Sequence, residues 1–167
     1  MKLSLLVVIA AALITTLAAS SPLSAAPAAS TVVLPRATHA GQTTQYGHIK
    51  SLRRKGKQFE MRFDPAWWLT GVTAERACGC KPVPNDYFIV DEGHRLLTYV
   101  VPASAHVTVL VRTRKGVAGV TVAELAQMVA GKNPKHRPLL ERGGGFWILI
   151  DNKYPGPVLA LDQQFQP

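Results

Sequence analysis

The chain has 167 residues, and 19 Lys and Arg against 10 Asp and Glu give it a formal net charge of +9. This length suffices for one domain with its own hydrophobic core, and the two cysteines are too few for a scaffold built from disulfides. A basic balance favours anionic partners and carries no information about the fold.

The start of the chain has the parts of a secretory signal peptide in the usual order. Lys2 gives a positive charge, residues 3–19 are an apolar run, and small residues follow. The run is short for a membrane span and has no basic stop-transfer flank. We therefore predict that residues 1–28 are a Sec-type signal peptide, that the protein is secreted and extracellular, and that its mature chain has no transmembrane segment. Cleavage after Ala26 and an uncleaved anchor are the alternatives.

Residues 29–45 are rich in Ala, Thr, Ser and Gly and are interpreted as a flexible leader. Residues 46–167 are then a single domain. It opens with a predicted β-hairpin over residues 46–64. Large apolar side chains alternate with polar ones between Phe59 and Phe63, and the glycine of "RKGK" supplies the tight turn.

Five basic side chains belong to this hairpin: Lys50, Arg53, Arg54, Lys55 and Lys57. At a hairpin tip they would attract an anionic cell-wall polymer or another anionic extracellular partner. The alternative is that these charges only solvate a turn. Because the protein is predicted to be exported, nucleic acid is not expected as its physiological partner.

The stretch "DPAWWLTGVTAERA" changes from strand to helix signals. Asp64 can cap a helix, and Pro65 suits the first helical position. A glycine in the middle argues against one continuous helix, so two short turns are predicted at 65–69 and 73–77. The adjacent tryptophans lie about 100° apart around a helix. One should therefore pack inward, and the other should line a groove or lie under the leader.

The remaining elements are mostly strands. "DEGH" is predicted to link the first two of them as a hairpin turn. The strands are predicted at 86–90, 95–101, 106–112, 146–150 and 158–161.

The best helix signal covers residues 121–131. Thr121 and Glu124 have the spacing of a capping box, and Gly131 is placed to end the helix. Because the strands have short links and do not alternate with helices, we predict an α+β fold. It would have a mostly antiparallel sheet of six or seven strands, partly closed into a barrel or sandwich, with two short helices. A five-stranded barrel of the OB type is the closest named alternative.

Three segments, at 63–77, 83–103 and 160–165, resemble a family of small secreted proteins of unknown function from actinobacteria such as streptomycetes. They read "FDPAWWLTGVTAERA", "VPNDYFIVDEGHRLLTYVVPA" and "ALDQQF". The resemblance covers most of the mature domain. It implies an exported protein and no particular chemistry. It also implies that the segment between "AERA" and "VPND" is a variable loop, which weakens a catalytic role for the cysteines there.

Cys78 and Cys80 are separated by one glycine. A disulfide between them would close a very small ring and stabilise little, but export to an oxidising space favours it. Flanking Arg76 and Lys81 would favour a reactive thiolate instead. A metal site would need two more ligands, and the histidines are scattered singly, so no metal is predicted. A free or intermolecularly paired thiol is the remaining alternative.

No catalytic residue and no cofactor is assigned from the sequence. The nucleophile elbow, the zinc-protease helix and the phosphate-binding loop are absent. The acids and imidazole of "DEGH" could act as acid and base, but a turn requires such residues anyway. An enzyme whose site leaves no linear motif stays open.

Several aromatic residues could stack on a sugar or a peptide. Trp68 and Tyr154 are predicted to be partly exposed and are the candidate contacts. Tyr87, Tyr99 and Trp147 lie on predicted strands and are expected in the core.

Three functions remain. The first is a non-catalytic extracellular or envelope binding module with a basic surface. The second is a small exported enzyme or thiol-redox protein that uses the Cys78 and Cys80 loop. The third is a secreted inhibitor of another protein, acting through exposed loops at 78–85 and 152–157.

Overall fold

The computed structural model describes residues 39–93, 95–112, 116–139, 144–153 and 156–166. Predictions about residues 1–38 therefore lie outside the described residues. The elements in chain order are β1 (Gln42–Lys55), β2 (Gln58–Thr70), α1 (Gly71–Cys78), a 3-10 turn (Pro84–Asp86), β3 (Tyr87–Val90), β4 (Leu97–Pro102), β5 (His106–Leu110), β6 (Val117–Val120), α2 (Val122–Val129), β7 (Phe146–Asp151) and β8 (Val158–Gln163).

The α+β prediction is confirmed, with a mostly antiparallel sheet and, within the described residues, two α-helices. The strand order is β3-β2-β1-β7-β8-β5-β6, and β4 pairs with β2 beside β3. The sheet does not close, so the predicted partial barrel and its OB alternative are wrong. One pair, β5 with β8, is parallel. There are eight strands among the described residues rather than six or seven, because β6 pairs with β5 although its sequence "VAGV" has no alternation.

The first hairpin is confirmed. β1 and β2 pair antiparallel across a turn at Gly56, whose φ of 63° lies in the region that favours glycine. The predicted alternation buries Phe59, Met61 and Phe63 in the core. β1 begins at Gln42, so four residues assigned to the leader belong to this strand.

The predicted helical turn at 65–69 is wrong, because β2 continues as a strand to Thr70. Its far end is held by β3, which pairs with Trp67 to Thr70. Pro65 is tolerated because β4 pairs with β2 only as far as Phe63, so that edge of β2 has no ladder partner beside the proline. The second predicted turn is confirmed as α1, which begins at Gly71.

The predicted hairpin of β3 and β4 is also wrong. The two strands lie on the same edge of β2, one after the other, and do not pair with each other. The "DEGH" segment therefore carries the chain along this edge past Pro65. Its last residue, His94, lies outside the described residues.

α2 confirms the capping box. The Thr121 hydroxyl accepts a hydrogen bond from the Glu124 N–H at 3.2 Å, and the Glu124 carboxylate accepts one from the Thr121 N–H at 2.8 Å. Val122 and Leu125 bury the apolar side of α2 in the core. None of the helices in the described ranges has the length and apolar character needed to cross a bilayer.

Candidate functional site

The first candidate surface is the end of the β1–β2 hairpin, here called the basic tip. It consists of Arg53, Arg54, Lys55 and Lys57, which are all exposed. One carboxylate lies among them, because Glu60 accepts a hydrogen bond from Lys55 at 2.6 Å. This cation lowers the pKa of Glu60. The tip therefore keeps an excess of positive charge.

Arg54 packs differently from its neighbours. Its guanidinium carbon lies 5.4 Å from the centre of the Phe59 ring. This distance is within the range of a cation–π contact. The contact holds Arg54 on the side of the hairpin that leads into the core.

Lys50, the fifth predicted contact, forms an ion pair with a carboxylate of β2. Its ammonium lies 2.9 Å from a carboxylate oxygen of Asp64, a residue that is only 7% exposed. The hydrogen bond to Asp64 raises the pKa of Lys50. The second carboxylate oxygen of Asp64 is buried with no hydrogen-bond partner among the described residues. Lys50 therefore compensates a buried charge, while 49% of its own side chain stays exposed.

The second candidate surface is a groove of about 260 Å³, here called the aromatic groove. It lies where β2 leaves β1, because the ladder between these strands ends at the pair Tyr46 and Ala66. Its lining consists of Thr44, Gln45, Tyr46, Pro65, Ala66, Trp67, Trp68 and Trp147.

Tyr46 and Trp68 anchor a set of rings beside the groove. Trp68 stacks on Tyr87 with ring centres 4.0 Å apart and an interplanar angle of 16°. Tyr46 contacts Trp68 at 5.0 Å and Trp147 at 5.2 Å. The Tyr46 hydroxyl accepts a hydrogen bond from the side chain of Gln166. Packing on several sides fixes these rings, so the groove has a defined shape.

Trp67 was a candidate stacking residue in the sequence, but Trp68 was preferred to it as the partly exposed contact. Trp67 is 62% exposed, whereas Trp68, the predicted contact, is half-buried. The prediction assumed a helix, in which the two rings lie about 100° apart; in a strand successive side chains point to opposite faces. The β-forming residues "WWLT" were the available signal for a strand.

The other aromatic predictions have mixed outcomes. Tyr87, Tyr99 and Trp147 were expected in the core and are half-buried. Burial raises the pKa of Tyr99, whose hydroxyl donates a hydrogen bond to the Gln45 side chain at 2.7 Å. Tyr154 lies outside the described residues.

Cys78 and Cys80 are paired in a disulfide, with Cα atoms 5.2 Å apart. Gly79 between them has a φ of 64°, which closes the small ring at the end of α1. The Cys80 N–H donates to the Cys78 sulfur at 3.1 Å. Lys81 lies 3.6 Å from Glu75, so one of the predicted flanking cations has a carboxylate partner.

One residue of the "DEGH" segment contacts a histidine side chain. Asp91 lies 3.9 Å from the His48 ring nitrogen, with both side chains partly exposed. Within the described ranges, no three His, Cys, Asp or Glu side chains come together as a metal site.

Comparison of the chain with family models, curated proteins and solved structures found no match. The resemblance to small secreted actinobacterial proteins therefore stays a prediction.

Proposed function

We propose that the protein is an exported, non-catalytic binding module that holds an anionic polymer of the cell envelope through the basic tip. The observation that supports this most is the placement of four exposed cations, Arg53 to Lys55 and Lys57, at the end of the longest hairpin. A polymer with repeated negative charges can contact several of them at once.

The expected affinity follows from the number of contacts. A Lys or Arg beside an anionic surface contributes about 1 kcal/mol, and this contribution falls with salt. Neutralising three cations should therefore cost about 3 kcal/mol, which is roughly a hundredfold in affinity. Glu60 offsets part of this, because its carboxylate already binds Lys55.

Titration with polyphosphate and with purified wall teichoic acid, at low and at high sodium chloride, tests the proposal. A matched control loses the same charge from exposed positions elsewhere. The tip variant carries Arg53→Gln, Lys55→Gln and Lys57→Gln, and the control carries Arg76→Gln, Arg95→Gln and Lys132→Gln.

We expect salt-sensitive binding that the tip variant loses and the control keeps. Equal loss in both variants would mean that only net charge matters and that the tip is not a site. Binding that does not weaken with salt would also contradict the proposal.

A second candidate function is thiol–disulfide exchange at Cys78 and Cys80. It is favoured by the Cys80 N–H, which would stabilise a thiolate on Cys78 after reduction. A dithiol of another protein would be oxidised to a disulfide while the Cys78–Cys80 disulfide is reduced to two thiols. Oxidation of a reduced test protein should then stop in the double variant Cys78→Ser, Cys80→Ser. Equal rates with and without the cysteines would exclude it.

A further inference from the structure

The aromatic groove contains backbone groups that no strand of the described structure pairs. In a strand, the N–H and C=O of one residue point to the same edge, and successive residues alternate. The Gly41 carbonyl accepts from Asn152, on the side of β1 that pairs with β7. By alternation, the peptide groups of Gln42, Thr44 and Tyr46 point to the opposite edge.

Tyr46 uses that edge to pair with Ala66 of β2, and the ladder stops there. Two residues further along β2, the peptide groups of Trp68 point to the same gap, because β3 lies on the other edge of β2. Thr44 and Trp68 would be the next ladder pair if the strands stayed together. Since they separate, their peptide donors and acceptors face the groove between them.

The side chains around these peptide groups are aromatic and uncharged. All three tryptophans of the chain line the groove, and Trp67 presents most of its surface to solvent. Thr44 and Gln45 add a hydroxyl and an amide. The chain has a net charge of +9, but no charged residue lines the groove. The groove therefore offers no ion-pair partner to an anionic ligand.

A ligand for this groove needs apolar faces for the rings and several neutral hydrogen-bonding groups for the peptide and side-chain partners. Concave sites of this kind, mostly apolar with a few placed polar groups, are typical of small-ligand recognition. A sugar ring has both properties, since its C–H groups form an apolar face and its hydroxyls donate and accept at the edge.

We propose that the aromatic groove is a binding site for a neutral oligosaccharide. Trp67 supplies the stacking platform, and the open peptide groups of Thr44 and Trp68 bind the hydroxyls. The site is independent of the basic tip, because Lys55 lies eleven positions after Thr44 in β1, which is about 35 Å of strand. The oligosaccharide proposal therefore stands even if the polyanion proposal fails.

Intrinsic tryptophan fluorescence is a direct readout, because every tryptophan of the protein lines the groove. We would titrate the purified protein with chitohexaose and with cellohexaose, at low and at high salt. We expect a saturable change with at least one of them that salt leaves unchanged. An uncharged extended peptide of Thr and Val is titrated in parallel as the alternative occupant of the two open strand edges.

Variants assign the binding to the groove. Trp67→Ala should weaken it by about tenfold or more, as expected for loss of an aromatic contact at the centre of a site. Val72→Ala is the matched control, because Val72 is equally exposed at 61% but does not line the groove. Isothermal calorimetry replaces fluorescence for the tryptophan variant.

Three results would overturn the proposal: no binding of either sugar, sugar binding that Trp67→Ala leaves intact, and binding of the peptide alone. Trp67 is largely exposed, so Trp67→Ala should fold, and its thermal unfolding checks this. The tip variant, with Arg53, Lys55 and Lys57 neutralised, should bind the sugar as the unmodified protein does.

Discussion

Gly47 is the position where a single methyl group should do the most damage. It is buried in β1 opposite Pro65 of β2. A Cβ added there would lie 2.2 Å from the carbonyl oxygen of Asp64 and 2.8 Å from two carbons of the Phe63 ring. Gly47 does not need a positive φ, so the requirement for glycine comes only from this close approach.

The size of the effect follows from what can move. The Phe63 ring is fully buried in the core, and the Asp64 oxygen belongs to the backbone of a paired strand. Neither can yield without shifting β2 away from β1. Inserting a methyl into a packed core costs about 1–3 kcal/mol. Since the closest contact is with backbone, we expect Gly47→Ala to lose about 3 kcal/mol or more.

Urea unfolding monitored by circular dichroism measures this loss. Gly119→Ala is the control, because its added Cβ would meet only the Val107 carbonyl oxygen, at 4.0 Å. The control should stay within about 0.5 kcal/mol of the original protein, as surface substitutions usually do. If Gly47→Ala unfolds at the same urea concentration as this control, the close packing of β1 on Phe63 is refuted.

Three further predictions concern charges and the disulfide. The Lys135 ammonium, followed by the Thr121 backbone N–H, lowers the pKa of Glu124 from its ordinary 4.5 to about 2. The stabilisation of the folded state by the ionised Glu124 carboxylate is therefore complete above pH 4.5 and is lost as the pH falls through about 2. The stability difference between the protein and Glu124→Gln should shrink over that window in acid titrations of thermal unfolding, and a constant difference would contradict it. Lys50→Gln leaves the buried Asp64 carboxylate without its cation, so it should cost about 1–2 kcal/mol in urea unfolding while polyphosphate binding stays within twofold; a large loss of binding with unchanged stability would reverse this assignment. Reduction of Cys78–Cys80, which closes a ring of about three residues, should lower the free energy of unfolding by only about 1.6 kcal/mol. Thermal unfolding with and without reductant tests this, and complete unfolding on reduction would disprove it.

Elements that depend on neighbouring residues were predictable from the sequence. The hairpin turn at Gly56 and the capping box of Thr121 and Glu124 are set within a few residues, and both are present. The extension of β2 was not predictable in this way. Asp64 and Pro65 carry a local helix signal, and pairing with the distant β1 and β3 outweighs it.

The two candidate sites also differ in how far they can be predicted from neighbouring residues. The basic tip follows from charges that are adjacent in sequence, although the partner of Lys50 could not be found without the register that places Asp64 near it. The aromatic groove depends on where the β1–β2 ladder ends. Beyond that point β2 pairs with β3 instead, from Trp67 to Thr70. No pattern within the stretch around Trp67 contains this information.

The position of β8 has a consequence for the time at which the chain can fold. β8 follows the other seven strands of the described residues in the chain, yet it lies inside the sheet and joins β7 to β5. Until residues 158–163 leave the ribosome, β5 and β6 have no ladder to the strands made before them. Pairings between such distant residues form slowly. The sheet should therefore be completed only after residues 158–163 have left the ribosome and paired with both β5 and β7.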